Sequence, residues 1–184
     1  MATVLRCDED DPASWPVVTS HHPLRDAAPV DEDSPTIEPG TVWRRIEAFI
    51  GHRWPSRTVT WIVEGPGEFE PRLQPFTLSS IEVWEDATGW TATTAAPSAL
   101  GFVLGEGRYR ITGTEGDDST PPEAVQEAYR RLHEYALGVA RQWWAEAATY
   151  RTETGQAPAG WAGKAIHLSG AADLLRPWRR LGAY

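Results

Sequence analysis

Cysteine is almost missing from this sequence. Cys7 stands alone, so no internal disulfide can form and a small disulfide-stapled scaffold is excluded. Lysine is equally scarce: Lys164 is the only one. The 17 basic residues face 26 acidic ones, giving a formal net charge of −9 and a pI near 5.0. That balance argues against broad binding along a phosphate backbone, which needs clustered Lys and Arg. No stretch approaches the roughly 18 consecutive apolar residues that span a bilayer. The start of the chain has no cationic segment followed by an apolar one, so no secretory signal is expected and a reducing compartment is. A length of 184 residues fits one domain, or one domain with an arm.

The signatures of chemistry are missing too. There is no G-x-S-x-G elbow, no phosphate-cradling G-x-x-x-x-G-K, and Gly101, Gly105 and Gly107 do not have dinucleotide-binding spacing. His133-Glu134 is not followed by the second His of a zinc-protease helix. His21 and His22, with Asp26 nearby, are adjacent, whereas ligands on one element normally stand at i,i+4 or in a fixed Cys/His pattern. His52 and His167 stand alone near element ends and suit surface or capping roles. Cys7 lies among acids, which raises its pKa and disfavours a thiolate. The paired carboxylates of the first 40 residues are solvated rather than tuned acids and bases. No catalytic residue, metal site or cofactor is expected.

What is present is unevenly placed. Nine acids and two bases (Arg6, Arg25) fall in residues 1–40, together with Pro12, Pro16, Pro23, Pro29, Pro35 and Pro39; the remainder is close to neutral. Proline removes a backbone donor and biases its predecessor to extended geometry. Residues 1–38 are therefore expected as an acidic, extended arm, with plain disorder as the alternative. The dominance of Arg over Lys suits interfaces, where its planar fork is favoured, although a bias in the coding sequence accounts for it more simply.

Periodicity predicts an α+β chain: an arm (1–38), then a domain over 39–184. Within it a helix spans 39–51, a small antiparallel β-meander 57–112, a long helix 120–150, and a short C-terminal helix with its tail 164–184. Val42, Ile46, Phe49 and Ile50 recur at helical spacing, and Gly51 fits the left-handed position after the helix. From Arg57 the period becomes two, with Val59, Trp61 and Val63 on one face. Strands follow over about 80–85 and 90–95, joined by an Asp86-Ala87-Thr88-Gly89 turn, and a second hairpin is expected at Gly105-Glu106-Gly107. Thr120-Pro121-Pro122-Glu123 reads as a capping box opening a helix with the stripe Val125, Tyr129, Leu132, Ala136, Val139, Trp143 and Ala147. Running from about 121 to 150, that helix is about 42–45 Å long, so one end is expected to project or to pack on a partner. Residues 154–163 read as a loop, and Gly170–Arg176 as a last helix stopped by Pro177.

Tryptophan is the unusual residue, with ten in the chain. Each buries roughly 150–250 Å² when packed. Trp43, Trp61, Trp143 and one of Trp84 or Trp90 are expected in the core. Trp15, Trp161 and Trp178 lie away from any stripe, in arm, loop and tail, and are expected as interface anchors, since Trp and Arg are enriched at hot spots.

Three stretches carry a resemblance. The first is IEAFIGHRWPSRTVTWIVE (Ile46–Glu64). The second is FTLSSIEVWEDATGW (Phe76–Trp90), followed by GRYRITGTEGDDSTPPEAVQEAYRRLHEYA (Gly107–Ala136). The third is AADLLRPWRR (Ala171–Arg180). In this order, over residues 40–184, they resemble the head–tail connector, or adaptor, proteins of long-tailed bacteriophages and gene transfer agents. The chain departs from that family at its start, where a short amphipathic helical segment is replaced by the acidic arm.

The resemblance implies a virion protein assembled in the host cytoplasm. It implies a homo-oligomeric ring, a dodecamer matching the portal, with the portal above and a stopper or other tail-side neck protein below. DNA passes through the lumen without specific binding, and no membrane is involved. It implies a portal-docking tail of Leu174, Leu175, Trp178, Arg179, Arg180 and Tyr184, and intersubunit contacts through Trp15, Trp161, Tyr129 and Trp144. A lumen of subunits carrying −9 each repels phosphates and suits such a conduit. On the residues alone two rivals stay open. A Trp-rich β-module binding carbohydrate or peptide would expose Trp84 and Trp90 on one strand face. A small hydrolase would gather His21, His22 and Asp26 in a pocket.

Overall fold

The computed structural model describes residues 1–19, 37–150 and 161–179, with the side chains of 141–150 and 161–163 outside that description. His21, His22, Asp26, Arg180 and Tyr184 lie outside the described residues, as do the side chains of Trp143, Trp144 and Trp161. The chain forms two compact units, one of Met1–Ser14 with Gly51–Thr120, the other of Trp15–Ile50 with Pro121–Gly182. It is α+β, as expected.

The first unit is β. Its elements are β1 (Thr3–Glu9), β2 (Arg57–Glu64), β3 (Gly67–Phe69), β4 (Phe76–Glu85), β5 (Gly89–Ala92), β6 (Ala96–Pro97), β7 (Phe102–Leu104) and β8 (Arg108–Glu115). Five make one antiparallel sheet in the order β1-β2-β8-β4-β5, and three make a second in the order β3-β7-β6. The strands are antiparallel, but their order is not that of a sequential meander. The last strand lies between β2 and β4, and the hairpin expected at Gly105-Glu106-Gly107 does not pair its arms: β7 joins β3 and β6 instead. The reason is burial. β8 alternates as strictly as β2, and each pairs over eight residues, so Trp61, Ile111 and Ile81 stand side by side on one apolar face. A three-residue strand could not cover as much.

Trp61 is the centre of that core, 5.6 Å from the Phe69 ring and 5.0 Å from the Phe76 ring, both edge-on. Such packing adds to the area term because ring edges and faces carry opposite partial charge. Gly113 makes room for it: a Cβ there would run into the Phe76 ring.

The acidic N-terminal segment contributes β1, an edge strand without a fully buried residue. Its first proline is Pro12, so Thr3–Glu9 keep every backbone donor for pairing with β2. It is held by backbone bonds and charge rather than by apolar burial.

The second unit is helical: α1 (Pro39–Ile50), α2 (Glu123–Tyr150), α3 (Trp161–Leu168) and α4 (Ala171–Leu175), then a 3₁₀ turn (Arg176–Trp178). In α1, Val42, Trp43, Ile46 and Ile50 are buried while Phe49 is only half-buried, and Gly51 at φ 71° closes the helix in the left-handed region as expected. α2 starts later than its sequence signal. The Pro122 carbonyl accepts from the N–H groups of Val125 and Gln126, which makes Pro122, not Thr120, the capping residue. The Gln126 side chain closes the turn on the Pro121 carbonyl. Val125, Ala128, Tyr129 and Leu132 are buried, whereas no side chain from His133 to Ala140 is.

Two elements differ from expectation at the C-terminal end. Trp161 opens a helix instead of ending a loop. The helix expected over Gly170–Arg176 is shorter, and Pro177, rather than stopping the chain, enters the first turn of the 3₁₀ segment, where its missing donor costs nothing.

Candidate functional site

In the helical unit, Leu175 and Ala171 are fully buried and Leu174 is half-buried. The burial of Leu175 corrects its assignment as a docking residue: it packs this subunit's own core. Beyond it Trp178 is 40 % exposed, and the Arg179 guanidinium lies 5.0 Å over the Phe49 ring. Phe49 in turn meets His167 edge-on at 5.7 Å. The tail thus presents an indole and a stacked cation at the surface, two groups that supply contact area and directed hydrogen bonds at interfaces.

Trp15 and Tyr129, both expected as intersubunit contacts, behave differently. Tyr129 is buried, stacked on Trp43 at 4.9 Å and on His133 at 5.9 Å, and burial raises its phenol pKa. It packs in the helical unit's own core rather than at a contact between copies. Trp15 is half-buried against α1. Its Nε1 would stand 2.6 Å from a Cβ at Gly40, and the Arg44 guanidinium lies 5.7 Å over its ring. Beside it is a groove of about 570 Å³ lined by Trp15, Val17, Val18, Pro39, Arg44 and Tyr129. Trp15 is therefore anchored in its own chain, with part of its surface open.

In the β unit, Trp84 and Trp90 face each other across the β4–β5 hairpin, with rings at 5.3 Å and 73°. Trp84 is 45 % exposed, so neither lies in the core in the manner of Trp61. Arg110 lies 4.9 Å over Trp90 and is held there by Glu82, through bonds of 2.6 Å from Nε and 2.8 Å from Nη2. Those hydrogen bonds hold the Glu82 carboxyl below its usual range. Trp54, which falls in no periodic stripe, is 2 % exposed.

The charged centre of this unit is Glu9. Arg53 donates to both its carboxylate oxygens (2.7 and 2.9 Å), and Arg57 donates to Oε1 at 2.8 Å. Burial alone would raise the Glu9 pKa; the Arg53 bonds and the two guanidinium charges outweigh it and hold the carboxyl below its ordinary value. Sequence reasoning missed this triad, yet a signal exists. Arg57 occupies the same face as Val59 and Trp61 in a period-two strand, and a cation on a buried face requires a carboxylate.

Cys7, next on β1, is exposed by area. Its thiol is nonetheless pushed up to about 11, first by desolvation and then by the charges of Glu115, Glu9 and Asp8. Alkylation of Cys7 by iodoacetamide at pH 8 is thus expected roughly two orders of magnitude slower than that of free cysteine. A rate matching the free amino acid would refute the shift. Among the described residues no three His, Cys, Asp or Glu side chains are grouped to hold a metal, and no helix is long and apolar enough to cross a membrane.

No protein-family profile and no curated protein matches this sequence. Solved structures with the same fold do exist. A chain in the neck of a native gene transfer agent particle, computed with C12 symmetry, aligns at a TM-score of 0.50 and 16 % identity, covering 93 % of this chain and 94 % of that one. A chain in the neck of the empty particle, computed with C6 symmetry, aligns at 0.52 and 16 % identity, covering 96 % of each. The fold is that of a gene transfer agent neck chain. It is the fold that the resemblance to head–tail connectors implied.

Proposed function

We propose that this chain is a structural protein of a virion neck: a head–tail adaptor that forms a ring between the portal and the next neck protein and lets DNA pass through its centre. The observation that carries this reading is the shared fold over almost the whole chain with neck chains of a symmetric particle. It assigns the protein no catalysis. The C-terminal segment docks on the portal through Trp178 and Arg179, with Leu174, Arg180 and Tyr184 as further contacts. Trp15, Trp144 and Trp161 serve contacts between copies, and twelve copies match the portal.

Purified protein, alone or with its portal, is expected to give rings by mass photometry and negative-stain imaging. A monomer that ignores portal at high concentration overturns the adaptor reading. Deleting Trp178–Tyr184 is expected to leave the circular dichroism spectrum intact and to abolish attachment to capsids; normal infectious particles from the deletion refute the docking assignment.

One observation favours the carbohydrate-binding reading, the exposed Trp84 beside Trp90. Their geometry weakens it. A sugar ring stacks on a flat aromatic platform, and two rings at 73° turn an edge toward each other instead.

A further inference from the structure

Charge is spread along most of this chain, yet between Asp86 and Glu106 there is no Asp, Glu, Lys or Arg. The fold places that stretch on the surface. It forms β5, the outermost strand of the five-stranded sheet, and β6, the outermost strand of the second sheet. Ala92, Thr94, Ala96 and Pro97 are exposed, Leu100 is 59 % exposed and Val103 48 %. Trp90 lies within it on β5, and Trp84 stands opposite on β4. An edge strand carries a row of backbone donors and acceptors ready to pair with another chain, and proteins guard such edges with charges, bulges or prolines. β1, at the opposite edge, has such guards: Arg6, Asp8, Glu9 and a register shift at Leu5. β5 has none.

Resting on the neck-ring reading, we infer that the uncharged edge of β5 receives the β1 edge of a second copy of this chain, so that neighbouring subunits join their sheets. Electrostatics and symmetry select this pairing. Two β1 edges brought together would set Asp8 and Glu9 of copies that each carry −9 beside one another. Two β5 edges brought together would be self-complementary and would close at a dimer. β5 against β1 juxtaposes no like charges and leaves one edge of each kind open, which is what a closed ring needs. Val4 and Leu5, 36 % and 48 % exposed on β1, supply the apolar side chains that meet the uncharged surface. Depletion of charge with aromatic enrichment is the composition of interface cores.

Two variants test it. Ala92→Asp places a charge on the receiving edge, and Leu5→Asp places one on the entering edge, both at exposed positions. Each alone is expected to raise the concentration needed for ring formation about a hundredfold with an unchanged circular dichroism spectrum. Mixed together, the two variants retain one complementary pair of edges and are expected to give heterodimers and nothing larger. Wild-type-like rings from either variant overturn the inference, and a mixture that stays monomeric overturns the β5–β1 pairing. Hydrogen–deuterium exchange on the unmodified chain is independent of variant folding. Backbone amides of Gly89–Ala92 are expected to gain protection in the ring, and fast exchange there in intact rings refutes the contact. A wild-type chain that makes no ring even with portal sinks the neck reading itself, an outcome separate from rings that ignore these edges.

Discussion

Replacing Trp43 with alanine is expected to destabilise the helical unit by about 3–5 kcal/mol. The indole is completely buried, stacked on Tyr129, and its Nε1–H donates to the Pro16 carbonyl at 2.9 Å. The substitution opens a cavity, removes an aromatic contact and takes the donor from the Pro16 carbonyl, which ties residue 16 to α1. Native domains hold only about 5–15 kcal/mol in total, so much of the margin goes. Trp43→Phe keeps most of the volume and the ring contact. It is expected to cost about 1–2 kcal/mol, mainly the lost hydrogen bond. Urea titrations followed by circular dichroism separate the two; a Trp43→Phe variant as stable as wild type would show that the bond to Pro16 contributes nothing.

Replacing Glu9 with glutamine is expected to cost about 3 kcal/mol, because truncating one partner leaves buried charges without their counter-ion. The Arg53 and Arg57 side chains are 10 % and 3 % exposed and share this carboxylate. In a chain of this length that corresponds to a fall in Tm on the order of 6–12 °C. The pH dependence has a definite sign. The folded-state pKa of Glu9 lies below its unfolded value of about 4.3, so the contribution is complete above that value and disappears as pH falls through the folded pKa. The gap in Tm between wild type and Glu9→Gln is therefore expected to be constant near neutrality and to close in acid, below about pH 4. A gap that does not begin to narrow as the pH falls below about 4 would point to lost packing instead. Since Glu9 closes β1 onto the sheet, the same variant is also expected to release that edge.

Much of the local structure was legible because it depends on neighbours in sequence. The alternation of Val59, Trp61 and Val63 was enough to place β2, and the spacing of Val42, Ile46 and Ile50 to place α1. Gly51 marked the helix end by its need for a positive φ. The Asp86–Gly89 turn stood where its residues put it. Boundaries governed by competition were less legible. Thr120 offers a good capping side chain, but Pro122 disfavours helical geometry at the preceding Pro121, and the helix opens on the Pro122 carbonyl instead. Trp161 looked like part of a Gly- and Pro-rich loop because the helix it opens is only eight residues long, too short to reveal a stripe.

The functional surfaces divide along the same line. Composition by itself determined that this chain is acidic, poor in cysteine and rich in tryptophan, and periodicity that it is α+β. The order of its motifs was enough to suggest the connector fold. Which tryptophans are free to meet another molecule was decided only by the tertiary structure, since burial depends on what the fold brings alongside. Tyr129 and Trp84 show it: one sits under Trp43, the other stands open at a hairpin. The neighbours of β8 were likewise set by the folded chain. Strand order maximises apolar area covered across the whole sheet, a quantity that no window of sequence contains.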